Sequence, residues 1–204
     1  MKKLIKILNK LPKPEIFSEY KIIKPDELIF DLIARLKCYT CGGVGRFILC
    51  PSYLKLTYPQ FETLELSMNF VNSFDHCILF IWKNDGTKSW KINKKDLSHI
   101  DFKVRKGRQL KGCEMGQSRE TCQLMVRYKR ELKQLNKNVF ALLQGHCDKC
   151  GIRCPNRDHP PCRRNGLPSL EAIGIDVYAT MEKLGIEYEY PVINELTTIT
   201  AILM

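Results

Sequence analysis

The chain has 204 residues and a net charge of +11, with 44% hydrophobic and 27% charged residues, proportions of an ordinary globular core that exclude a fibrous or disordered chain. No run approaches the roughly 18 uninterrupted apolar residues of a membrane-spanning helix, and the basic start is broken at Lys6 with no small-residue cleavage site after Pro12. A cytoplasmic protein is therefore expected, and its ten cysteines suit metal ligation or redox chemistry better than disulfides in a reducing compartment.

Residues 1–24 read as an N-terminal extension of a single domain spanning 1–204. Pro25-Asp26-Glu27 has the proline and acids of a helix start, and Leu28, Ile29, Leu32, Ile33 and Leu36 recur at helical spacing up to Cys38. After a glycine-rich stretch to Cys50-Pro51, Pro59 opens a second expected helix with Phe61, Leu64, Met68 and Val71 on one face. The apolar run from His76 to Trp82, the turn residues Asn84-Asp85-Gly86 and a second run from Trp90 to Ile92 predict a hairpin.

Residues 91–137 carry 14 basic and 5 acidic side chains. Their second half, 118–135, predicts a long helix exposing Arg127, Lys129, Arg130 and Lys133. Val139 to Leu143 reads as a strand leading into a second cysteine cluster. Asp176 is placed to cap a helix ending at Gly185, with closing strands expected at 186–193 and 196–203. The sum is one α+β domain: a mainly antiparallel sheet, helices packed on it, and cysteine-rich metal-binding loops at 38–51 and 145–168.

The strongest chemical signal is Cys147-x2-Cys150-x3-Cys154-x7-Cys162, four soft ligands close enough to hold one iron–sulfur cluster or one zinc ion. Zinc fingers and ribbons use two tight pairs, and here only Cys147 and Cys150 are tightly paired. Cys147, Cys150, Cys154 and Pro155 instead reproduce the end of the bacterial ferredoxin run, with Gln144 where its first cysteine stands. An iron–sulfur cluster of the 4Fe-4S type is the expected cofactor, with zinc as the alternative and thiols that bind nothing as the plain one.

Cys38-x2-Cys41-x8-Cys50-Pro51 forms a second constellation, with Gly42, Gly43 and Gly45 allowing the backbone to approach sulfur closely. It lacks an obvious fourth ligand; Cys113, in a basic setting, is the first candidate. Buried structural thiols are the alternative for this trio, and core positions are expected for Cys77 and Cys122. His146 stands beside Cys147 as a tuning residue or a solvated histidine. No nucleophile, zinc-protease or phosphate-loop motif is present, and the plainest roles for Ser169, Glu171 and Asp176 are helix caps.

The two cysteine motifs, taken with Pro168-Ser169-Leu170-Glu171-Ala172-Ile173-Gly174-Ile175-Asp176-Val177, resemble the predicted metal-binding proteins of the domain-of-unknown-function 2284 family from about Leu28 onward. That family often has Cys-Pro-Pro after its first loop, where this chain has Ser52 after Pro51. The resemblance implies a prokaryotic metal-binding protein, iron–sulfur in form, and implies no reaction. The expected role is electron transfer or metallocofactor handling for a redox or cofactor-assembly partner protein that docks on the basic face 91–137. The alternative is a zinc-stabilised module binding nucleic acid through the same face, with Phe102, Tyr128 and Phe140 nearby.

Overall fold

A computed structural model describes residues 1–40, 49–84, 119–145, 147, 162, 166–190 and 195–204. Within them lie helices α1 (Lys2–Lys10), α2 (Leu32–Thr40), α3 (Pro51–Thr57), α4 (Leu64–Asn72), α5 (Arg119–Leu132) and α6 (Val177–Lys183), and strands β1 (Phe17–Ile23), β2 (Cys77–Asn84), β3 (Phe140–Leu142) and β4 (Leu196–Leu203). The strands form one antiparallel sheet in the order β1-β2-β4-β3. The expected α+β domain with an antiparallel sheet is what the chain forms.

Alternation along the strands splits the core in two. Cys77, Leu79 and Ile81 of β2, with Ile199, Ala201 and Leu203 of β4, face a layer containing α3, α4 and α6. Ile78, Phe80 and Trp82, with Ile202, face α1 and α5. Covered on both faces, β2 reads as an unbroken apolar run, Cys-Ile-Leu-Phe-Ile-Trp, as central strands do. Each fully buried Leu, Ile or Phe on it stabilises the fold by about 1.5–3 kcal/mol.

Several expected elements take another form. The helix drawn from Pro25 is a 3₁₀ turn, Pro25–Glu27, separated from α2 by extended backbone. There Ile29 C=O accepts from Asp176 N–H (2.8 Å) and Asp31 N–H donates to Gly174 C=O (2.8 Å), so tertiary partners take the bonds that a continuous helix would need. Asp31 then caps α2 through Ile33 N–H (2.7 Å). The helix also turns its expected apolar face outward: Leu32, Ile33 and Leu36 are exposed, whereas Arg35 is buried, donating to the carbonyls of Phe61 (2.7 Å) and Glu62 (3.0 Å).

Pro59 opens only a 3₁₀ turn, Pro59–Phe61, and α4 starts at Leu64 after a Thr63 cap, with Ser67 and Val71 inward and Met68 exposed. One arm of the expected hairpin, 90–92, lies outside the described residues, and both edges of β2 are occupied by β1 and β4. Residues 186–190 form no strand; 191–194 lie outside the described residues. Arg130 on α5 and Lys133 just beyond it are exposed, but Arg127 and Lys129 are half-buried, with Lys129 Nζ over the Phe140 ring at 5.1 Å. The strand expected at 139–143, the capped helix after Asp176 and the strand at 196–203 all form. Among the described residues no helix is long and apolar enough to cross a membrane.

Candidate metal centre

The second cysteine loop leaves the sheet at the end of β3 and is pinned at its base. Leu143 N–H donates to Pro168 C=O (2.9 Å), and Leu170 N–H donates to Leu143 C=O, a parallel bridge that brings the loop's two ends together. Gln144 extends the ladder, its side-chain oxygen accepting from Ile199 N–H of β4 at 2.8 Å. Gly145, at φ +84°, makes the turn into the loop, and its N–H donates to Glu171 Oε2 (3.4 Å). Burial raises the Glu171 pKa above the usual carboxylate value and nearby Asp176 adds to this, while its hydrogen bonds, including those from Gly145 and Ser169, act the other way.

Two sulfurs converge just above this base. A Cβ placed on Gly166 would sit 3.2 Å from Cys162 Sγ, 3.5 Å from Cys147 Sγ and 2.6 Å from Leu49 Cδ1. The separation of the two sulfurs therefore cannot exceed the sum of the first two distances. Each is met by a main-chain donor: Gly166 N–H points to Cys162 Sγ (3.3 Å) and Leu167 N–H to Cys147 Sγ (3.5 Å). Such donors favour sulfur carrying negative charge, which is the form that ligates metals.

Helix α3 reaches the same place from the first cysteine motif. Cys50 is its N-cap residue, with Pro51 at the first helical position. At its far end Thr57 Oγ1 accepts the Cys162 N–H (2.8 Å), and the next residue, Tyr58, donates its hydroxyl to Gly166 C=O (2.6 Å). Burial pushes the Tyr58 phenol pKa well above its ordinary value, and charge on Cys162 and Cys147 adds to this, so the phenol keeps its proton. Its ring is held against Phe140 and Phe61, with centroids 5.4 and 5.8 Å away.

Of the seven expected ligands, Cys147 and Cys162 are brought together. Cys38, on α2, and Cys50 are half-buried, and Cys38 packs against the same core face as both of them. Cys41, Cys150 and Cys154 lie outside the described residues, as do Cys113, His146 and Gly42, Gly43 and Gly45. Cys77 and Cys122 are buried core thiols, as expected; burial, with a smaller contribution from Glu27, raises the Cys77 pKa far beyond neutral pH. Among the described residues no group of three or more His, Cys, Asp or Glu converges. Two adjoining sulfurs that each receive an amide N–H fit a soft, thiolate-bound metal. Thr57, Tyr58 and Gly166 carry no metal-ligand signature. Pro51 followed by Leu54 at helical spacing was the available signal for the helix that positions the first two.

A match over residues 21–204 to the family model described as a predicted metal-binding protein sets the class. The chain belongs to that family, DUF2284, and the match begins within β1, upstream of Leu28. No curated protein and no solved structure matches it.

Proposed function

We propose that the chain is an iron–sulfur protein in which Cys147, Cys150, Cys154 and Cys162 hold one cluster of the 4Fe-4S type and Cys38, Cys41 and Cys50 contribute to a second metal centre. The observation that carries this reading is the convergence of Cys147 and Cys162 beside Gly166, each beneath an amide donor. Between these two cysteines the chain carries Cys150 and Cys154 in ferredoxin-like spacing. A bound cluster supplies one-electron chemistry. The protein supplies thiolates, oriented N–H groups that tune the potential, and a half-buried setting.

The role supported best is electron transfer or metallocofactor handling for a partner protein. Exposed Arg130 on α5 and Lys133 just after it belong to a basic face suited to steering an acidic partner. The test is protein purified and kept without oxygen. It should be brown, with iron and acid-labile sulfide in comparable amounts, and Cys150→Ala or Cys154→Ala should remove one cluster. Colourless protein holding only zinc overturns the reading; if it also binds DNA or RNA with a steep salt dependence, a zinc-stabilised nucleic-acid module replaces it.

A further inference from the structure

The Gly166–Leu167 peptide has both of its polar ends engaged. Its carbonyl accepts the Tyr58 hydroxyl at 2.6 Å, and its N–H donates to Cys147 Sγ at 3.5 Å. One residue earlier, Gly166 N–H donates to Cys162 Sγ at 3.3 Å. A single phenol therefore holds the peptide that donates to Cys147 Sγ, and with it the carbonyl side of Gly166, whose own N–H, in the preceding peptide, donates to Cys162 Sγ. Donation to an amide oxygen draws charge toward that oxygen and makes the N–H at the other end a stronger donor.

We propose that Tyr58 is a positioning residue for the metal centre, acting through the Gly166–Leu167 peptide to strengthen the amide donor at Cys147 and, by fixing Gly166, to aim the one at Cys162. The proposal rests on the reading of these two cysteines as ligands. Their donors set how much negative charge the sulfurs carry, and with it metal affinity and electronic properties. Tyr58 is well placed for this because its ring is fixed independently of the hydroxyl by contacts with Phe61 and Phe140. Gly166 allows the close approach, since a side chain there would meet Leu49 and Cys162.

Tyr58→Phe removes the hydroxyl and keeps the ring. The experiment titrates metal-free, reduced full-length protein with cobalt(II) under anaerobic conditions. It reads the sulfur-to-cobalt charge-transfer bands and the affinity in competition with a chelator. In Tyr58→Phe, affinity should fall about tenfold, the low end for outer-shell substitutions. Its charge-transfer band should move to lower energy, because a sulfur with weaker donors gives up charge more readily. Site-specific 3-fluorotyrosine at position 58 makes the hydroxyl a stronger donor and should shift both readouts the opposite way; it decides the matter if Tyr58→Phe does not fold.

Strong cobalt binding to wild type with unchanged bands and affinity in both altered proteins overturns the role of Tyr58 and leaves the metal centre standing. Wild-type protein that takes up no cobalt in a thiolate environment overturns the ligand assignment together with it. A change in the melting temperature of the metal-free protein alone, with the cobalt spectrum unmoved, assigns Tyr58 to folding and overturns the proposal.

Discussion

Thr57 Oγ1 accepts the backbone N–H of Cys162 at 2.8 Å across 105 residues of sequence. The end of the helix that begins after Cys50 thus fixes the backbone of a cysteine in the other motif. Thr57→Val keeps the shape and removes the acceptor, which costs about 1–3 kcal/mol where the donor is partly buried. Metal release to a chelator should be faster in Thr57→Val and close to wild type in Thr57→Ser. Equal rates in all three would show that the contact does not support the site.

Gly166→Ala should disturb the proposed metal centre more than the fold. The new methyl meets Leu49 Cδ1 at 2.6 Å, and that side-chain end can swing away, but Cys162 Sγ at 3.2 Å is held by a hydrogen bond from the same residue. A stability loss of about 1–3 kcal/mol in urea, as for other overpacked positions, should accompany a clear drop in bound metal per chain. In a Leu49→Ala background the further stability loss caused by Gly166→Ala should shrink, while the metal deficit persists.

Gly174 sits at φ +97°, and a Cβ there would collide with Leu64 Cδ1. Its carbonyl also receives Asp31 N–H, which sets the start of α2 and so the approach to Cys38. Gly174→Ala combines left-handed backbone strain of about 1–2 kcal/mol with crowding of similar size. Urea melts should show a loss of about 2–4 kcal/mol. Leu64→Ala in the same background should remove the crowding part and leave the strain.

The raised pKa of Glu171 has a definite sign in stability. Between its unfolded value of about 4.3 and its higher folded value, the native state holds more of this proton than the unfolded state. The contribution is therefore fully present below the unfolded pKa and is lost as pH rises through the folded one. Glu171→Gln keeps an acceptor for Gly145 N–H and does not titrate. The stability of wild type relative to Glu171→Gln should decline as pH increases across that window; a flat difference in urea melts would contradict the assignment.

What was legible in the sequence followed local rules. The apolar run at 77–82, the Asp176 cap and the β-branched stretch at 196–203 each specify an element without help from distant residues, and all three form. The region leading to Cys38 follows no such local rule: Leu32, Ile33 and Leu36 have helical spacing but no core to face. Arg35 finds the carbonyls of Phe61 and Glu62 and turns the helix over. For the candidate site, spacing alone groups Cys147 with Cys162. Their amide donors, Gly166 and Leu167, stand 4 and 20 residues away with no periodic pattern to mark them, and Thr57 and Tyr58 reach the site across 105 and 108 residues from the end of a helix signalled only by Pro51 and Leu54.

The sheet order has a kinetic consequence. Strand β4 lies between β2 and β3, so its pairings Ile81↔Ile199 and Leu142↔Ala201 close long loops before they gain any stabilisation. Both cysteines beside Gly166 belong to the segment between β3 and β4. A metal that clasps Cys147 to Cys162 during folding would shorten the free chain that β4 must bring back and so lower the entropic barrier to completing the sheet. Refolding should then be faster with the metal present from the start than when it is added to the chain after folding has begun, making the ligand a chaperone for its own binding domain.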